Sequence, residues 1–277
     1  MLGAIIGDIV GSYYEVLEVK EIKNGHRSYE ERIKILDKNT PLFTENSSVT
    51  DDSILTFAIY KAITANEDYE TILKKYAKEE LELGKDMYGR SRFGKGFVEW
   101  VNGNSEGTSY GNGASMRISP VGYLFNTLEE VKEESYKATI PSHNNKDAIL
   151  CAEAVAVSIF LLRNGYTKEE TKKYIEENYF KLDYDLEDLQ RNYRFSSKAI
   201  ASVPQALFIF FESNGFEDAI RKAISIGGDT DTIACITGSL AATIYEIPEE
   251  IVKCATPYLK DYMKELLEVH KKLIKRW

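Results

Sequence analysis

The chain carries two acidic helix starts that lie far apart in sequence, Thr50-Asp51-Asp52-Ser53 and Gly227-Gly228-Asp229-Thr230-Asp231-Thr232. Each heads an apolar run, Ile54 to Ile63 in one case and Ile233 to Tyr245 in the other. Free backbone N–H groups and the macrodipole favour negative charge at a helix start, and one Asp there is an ordinary cap. Two at each of two starts exceeds what capping needs. If the fold brings them together, four carboxylates repel one another unless positive charge lies between them. The donors are Asp and Thr without His or Cys, which suits hard cations such as Mg²⁺, Mn²⁺ or Ca²⁺ and argues against Zn²⁺. The plainer reading is two unrelated Asp-rich caps. Spacing alone does not separate the two.

The pattern around these stretches is helical. Residues 2–16 place apolar side chains at helical spacing, with Gly3, Gly7 and Gly11 on nearly one face. Each such Gly costs roughly 0.5–1 kcal/mol relative to Ala, so that face is expected to meet another backbone closely. Glu15 is placed at the end of this helix. The polar stretch 18–48, with one Pro and weak periodicity, reads as a lid or flap attached to Glu15. Further helices are predicted over 53–65, 69–82, 128–139, 146–163, 167–180, 198–213, 215–225, 231–245, 248–255 and 257–275.

The intervening segment 84–119 is glycine-rich. Within it, Thr108-Ser109-Tyr110-Gly111-Asn112-Gly113-Ala114-Ser115-Met116-Arg117 offers backbone N–H groups, hydroxyls and an aromatic ring. Such a loop can cradle a phosphate, although turns between helices explain most glycine-rich loops. Ser142-His143-Asn144 forms a turn before an apolar helix, where a lone His is more often a cap than a catalyst. Period-2 alternation is scarce, so the expectation is an all-α fold in one domain spanning 1–277.

Composition narrows the partners. A net charge of -9 without an offsetting basic stripe excludes nucleic acid and anionic membrane surfaces as partners. The Lys-rich C-terminal end (Lys271, Lys272, Lys275, Arg276) reads as a solvated helix end. Cys151, Cys235 and Cys254 show no CxxC spacing and read as buried thiols of a reducing compartment. The first apolar run meets Asp8 without a basic region before it, and the longest apolar runs are too short to span a bilayer. A cytoplasmic monomer is expected.

Five stretches together carry a resemblance. Gly7-Asp8-Ile9-Val10-Gly11-Ser12-Tyr13-Tyr14-Glu15, Thr50-Asp51-Asp52-Ser53, Gly111-Asn112-Gly113-Ala114-Ser115-Met116-Arg117, Ser142-His143 and Gly227-Gly228-Asp229-Thr230-Asp231-Thr232 occur in the order found in the ADP-ribosylglycohydrolases. The chain resembles that family over about residues 3–245, and its first stretch is most similar to the ADP-ribosylhydrolase-3-like branch. The resemblance implies a compact domain of orthogonally packed helices, with two Mg²⁺ ions (or Mn²⁺) at the base of a cleft. It makes Thr50, Asp51, Asp52, Asp229, Asp231 and Thr232 the metal ligands, and it makes Glu15 the catalytic acid or base on a mobile loop. Ser109, Tyr110, Gly111, Asn112 and Gly113 match the loop that receives the diphosphate and distal ribose, and His143 matches a ligand-contacting histidine.

The implied activity is hydrolysis of the glycosidic bond between ADP-ribose and an acceptor, on a protein side chain or a small molecule. The Gly-Ser-Tyr-Tyr-Glu run points to O-linked acceptors. Two alternatives share the motifs: a two-metal phosphohydrolase acting on the diphosphate, and a non-catalytic ADP-ribose-binding member. The first should place basic side chains near the leaving oxygen, and the second should show broken ligands.

Overall fold

The computed structural model describes residues 1–21 and 27–274. In chain order its helices are α1 (Leu2–Glu21), α2 (Tyr29–Ile33), α3 (Asp51–Ala65), α4 (Tyr69–Glu82), α5 (Lys95–Val101), α6 (Gly113–Arg117), α7 (Ser119–Leu124), α8 (Leu128–His143), α9 (Lys146–Arg163), α10 (Lys168–Asn178), α11 (Leu186–Asn192), α12 (Val203–Phe211), α13 (Phe216–Ser225), α14 (Thr230–Ile244), α15 (Glu249–Ala255) and α16 (Glu265–Ile274). Among the described residues there is no strand, only the isolated bridges Thr108–His143 and Gly111–Lys198. The fold is all-α.

The centre is the antiparallel pair α1 and α14. A Cβ added at Gly7 would stand 2.0 Å from the carbonyl oxygen of Ala234, and one at Gly3 would stand 2.2 Å from that of Gly238. The glycine face of α1 therefore lies backbone to backbone on α14, which is what its spacing implied. This contact fixes where Asp8 and Glu15 stand relative to Asp231. Helix α9, buried almost all round from Ala148 to Leu162, backs the same core. Amphipathic α13 turns Ala219, Ile220, Ala223 and Ile224 inward. Capping boxes at Thr127–Glu130 and Thr167–Glu170 start α8 and α10 where an N-cap signature precedes them.

Several expectations are corrected. Helix α1 runs past residue 16 to Glu21, so Glu15 lies inside a helix, not at its end. The segment 18–48 is no free flap, since its described part is tied to the body. Glu18 is buried and paired with Arg27 (2.7 Å) and Arg32 (2.9 Å). Arg221 Nη1 donates to the carbonyl of Ile35 at 2.7 Å, and Tyr258 Oη to that of Thr44 at 2.9 Å. Residues 22–26 of that segment, and Lys275 and Arg276 at the C-terminal end, lie outside the described residues.

The predicted helix 257–275 begins instead as 3-10 turns at Thr256–Tyr258 and Asp261–Lys264, and is α-helical only from Glu265. Helix α11 was not anticipated: its seven residues are too few for a periodic signal. Cys254 is exposed, against the expectation of three buried thiols. Among the described residues no helix is long and apolar enough to cross a membrane.

Candidate active site

Three elements deliver the acidic cluster. Helix α1 supplies Asp8 and Glu15, the start of α3 supplies Thr50, Asp51 and Asp52, and the turn into α14 supplies Asp229, Asp231 and Thr232. The two acidic helix starts meet. Carboxylate oxygens of Asp8, Asp52 and Asp231 lie within 4.8 Å of one another, as do those of Glu15, Asp229 and Asp231.

Asp8 received no role from the sequence, yet it organises one side. A carboxylate in an apolar helix interior is costly unless it is hydrogen-bonded. Its Oδ2 accepts from the backbone N–H of Thr50 (3.0 Å) and Ser53 (3.1 Å) and from the Ser53 hydroxyl. Its Oδ1 accepts from the Thr50 hydroxyl at 2.6 Å. A residue of α1 thus caps α3 from outside, satisfying N–H groups that the first turn leaves without partners. The Thr50 hydroxyl, donating to Asp8, accepts in turn from the backbone N–H of Asp52 at 3.3 Å. The sequence signal was present: a single charge within the glycine-spaced apolar run.

The other side rests on Gly227 and Gly228, whose φ angles of 73° and 77° are left-handed. A Cβ at Gly227 would stand 2.5 Å from the Arg32 guanidinium carbon, and one at Gly228 would stand 2.4 Å from the Tyr193 ring. Glycine is required there for both conformation and space. Arg32 is fully buried, bonded to Glu18 and to the carbonyls of Gln190 (3.2 Å) and Tyr193 (2.9 Å). This ion pair packs directly behind the acidic turn.

The electrostatics are those of negative charge held together out of water. Burial first, and then the neighbouring carboxylates, raise Asp51, Asp52 and Asp231 well above the usual carboxylate range. Burial pushes Asp8 up to about 6 against its hydrogen bonds, and Asp229 likewise to about 6. Glu15 rises to about 7, through burial and then Asp231, with Arg90 opposing. Asp52 Oδ1 is buried without a hydrogen-bond partner. Oxygen donors, crowded charge and an orphaned carboxylate oxygen fit a hard divalent cation.

Every residue expected at the site lines one cleft of about 740 Å³: Glu15, Thr50, Asp51, Asp52, Ser109, Tyr110, Gly111, Asn112, Gly113, His143, Asp229, Asp231 and Thr232. Individual roles shift. Asn112 is buried, and its amide donates to Asp229 Oδ2 at 2.8 Å and Ser202 Oγ at 3.1 Å, so its side chain orients a carboxylate. The N–H of Gly111 already donates to Ser109 Oγ (3.1 Å), and that of Asn112 to the Ser197 carbonyl (2.9 Å). Gly113 opens α6, where a first-turn N–H has no partner within its own helix. Tyr110 is 57% exposed beside Lys198, and its ring is open to a planar ligand.

His143 ends α8 and does not start a helix. Ser142 Oγ accepts from Arg117 Nη2 (2.8 Å) and lies 2.7 Å from His143 Nδ1. Ser142 thus links Arg117 to the imidazole, whose Nε2 lies on the side of Gly113. Burial, and then Arg117, keep the imidazole neutral, well below its usual pKa.

Glu15 is not on a loop. Its carboxylate accepts from Arg90 Nη1 at 2.6 Å, and Arg90 Nε donates to Asp86 Oδ2 at 2.9 Å. Asp86 and Arg90 went unread in the sequence, because an irregular glycine-rich segment offers no period from which to place them.

A family model described as ADP-ribosylglycohydrolase matches residues 1–276. The chain belongs to the ADP-ribosylglycohydrolase family. Its members are hydrolases of glycosyl bonds. The chain is similar to the ADP-ribosylarginine hydrolase Tri1 of Pseudomonas putida, 23% identical over 97% of this chain and 76% of that one. It is also similar to the ADP-ribosylhydrolase ARH3 of Homo sapiens, 23% identical over 90% of this chain and 86% of that one. A solved structure titled "ADP-ribosylglycohydrolase-related protein complex" superposes with a TM-score of 0.67 at 19% identity, covering 99% of this chain and 95% of that one. That likeness establishes the shared fold. An ADP-ribosylglycohydrolase core thus surrounds the cleft in which both acidic helix starts meet.

Proposed function

We propose that the chain hydrolyses the bond between C1 of the proximal ribose of ADP-ribose and an O-linked acceptor, releasing ADP-ribose. The observation that carries this reading is the convergence of Glu15, Asp52, Asp229 and Asp231 at the base of a cleft whose wall is the 109–113 loop. Thr50, Asp51, Asp52, Asp229, Asp231 and Thr232 would hold a pair of Mg²⁺ or Mn²⁺ ions, with Asp8 and Asn112 orienting them. Bound there, divalent ions would supply positive charge that orients the ribose hydroxyls and polarises water.

The chain's own groups do the rest. With Ser142 donating to its Nδ1, His143 presents an Nε2–H that faces the diphosphate beside the Gly113 N–H, and Tyr110 offers its ring to the nucleoside end. Water oxygen bonds to C1 as the bond from C1 to the acceptor oxygen breaks, and one water proton passes to the departing oxygen. Glu15, held near neutrality by its surroundings, is the group suited to take and return that proton; such transfer contributes about 10²–10⁴ in rate.

The test is a side-by-side panel of ADP-ribosyl-serine peptide, O-acetyl-ADP-ribose and ADP-ribosyl-arginine peptide, with products separated chromatographically. Free ADP-ribose from the O-linked substrates is expected. AMP with ribose phosphate would mark a phosphohydrolase, binding without product a non-catalytic protein, and turnover of the arginine linkage alone a wrong acceptor class.

A further inference from the structure

Between Glu15 and the outer wall of the cleft stands a cation that belongs to the chain itself. Asp86 builds the turn that carries it: its Oδ1 accepts from the backbone N–H of Tyr88 (2.9 Å) and Arg90 (2.7 Å), and its own N–H donates to the Arg90 carbonyl (3.0 Å). Tyr88 Oη pins the turn to the carbonyl of Asn46 at 2.9 Å. The fork of Arg90 then bridges two carboxylates, Nε to Asp86 Oδ2 and Nη1 to Glu15 Oε2, with its guanidinium carbon 5.5 Å from the centre of the Tyr88 ring. A guanidinium held by two carboxylates and an aromatic face is a fixed charge. It lines the cleft and stays one-third exposed to it.

The position of this charge bears on the acceptor. With ADP-ribose on the wall formed by the 109–113 loop and its C1 beside the acidic cluster, the leaving group departs on the remaining side, past Glu15. Arg90 stands there against Glu15, and Arg92 and Lys95 also line the cleft. A guanidino leaving group would bring a second cation to a carboxylate already paired with one. Like charges placed together reject a partner strongly, and a site can build specificity from that repulsion.

We propose that Arg90 sets the acceptor specificity of the cleft, filling the place beside Glu15 that a guanidino acceptor needs and so selecting oxygen-linked acceptors, neutral or anionic. This rests on the glycohydrolase reading above and goes beyond it by naming the residue that discriminates. Asp86 acts through Arg90 as a positioning residue.

The test compares wild type, Arg90→Ala and Arg90→Lys on ADP-ribosyl-serine and ADP-ribosyl-arginine peptides in saturating Mg²⁺. The readout is the ratio of the two kcat/KM values, with ADP-ribose affinity measured by calorimetry beside it. Arg90→Ala is expected to shift the ratio towards the arginine substrate by about tenfold or more, with ADP-ribose affinity nearly unchanged. Arg90→Lys keeps the charge but loses the fork that bridges the two carboxylates, and should shift the ratio less than Arg90→Ala does. A merely structural role would lower both rates together and leave the ratio where it was, and that result overturns the proposal. So does a wild type that prefers the arginine linkage. Wild type releasing no ADP-ribose from either peptide overturns the glycohydrolase reading as well, which distinguishes that failure from failure of the Arg90 assignment alone. If Arg90→Ala proves unfolded by its thermal transition, Arg90→Gln, which keeps most of the side chain and loses the charge, gives the same comparison.

Discussion

Glu15 and Asp52 are carboxylates of one cluster with opposite surroundings. Asp52 is buried with an oxygen that no group of the chain satisfies, whereas Glu15 is held by Arg90 at the cleft edge with its side chain 15% exposed. The first fits a group completed by a cation, the second a group free to exchange a proton. Glu15→Gln keeps the shape and removes the basicity, so metal occupancy and ADP-ribose affinity should change little while the single-turnover rate falls by about 10²–10⁴. Asp52→Asn should weaken metal binding first and lose rate through it. Calorimetric titration of Mg²⁺ and of ADP-ribose into both variants, beside their rates, makes the comparison. Glu15→Gln that binds no metal yet turns over in excess metal would show Glu15 to be a ligand.

At the scale of elements, the contact of α1 with α14 positions everything else. Gly7→Ala would drive a methyl into the Ala234 carbonyl, and overpacking of this kind costs about 1–3 kcal/mol, here at the upper end because the neighbour is backbone. It should also separate Glu15 from Asp231 and lower the rate. Gly96→Ala makes the contrast: it lies within α5 with nothing near its added Cβ, and should stabilise by about 0.4–1 kcal/mol. Urea unfolding of both variants reads the two signs. This contact was legible in the sequence, because glycine at every fourth position has few other uses in a helix. So were the long periodic helices, whereas the meeting of the two acidic starts was legible only through the family resemblance. What escaped was held by long-range bonds of individual side chains with no periodicity: Asp8 capping α3, Arg32 behind Gly227, and Arg90 on Glu15. The 18–48 stretch misled for the same reason, since buried Glu18 and Arg32 look like surface charges until their pairing is seen.

For the whole molecule, the acidic cluster makes stability, pH and metal one linked quantity. Asp8 and Asp229 titrate near 6 and Glu15 near 7, above the ordinary carboxylate values of about 4. In the metal-free protein the native state therefore holds more protons than the unfolded chain between about pH 4 and 7. Stability is greatest below that window and falls as pH rises through it. A divalent cation replaces those protons, so Mg²⁺ should raise the Tm more at about pH 7.5 than at about pH 5. The most direct measurement is one titration: metal-free protein at about pH 7.5 receives Mg²⁺ while its Tm and its release of ADP-ribose from ADP-ribosyl-serine peptide are followed in the same samples. Both are expected to rise together and saturate at roughly two ions per chain, with the gain in Tm shrinking when the titration is repeated at about pH 5. Full turnover by protein whose metal content is measured as zero, or a Tm indifferent to Mg²⁺ at both pH values, would contradict the assignment of this cluster.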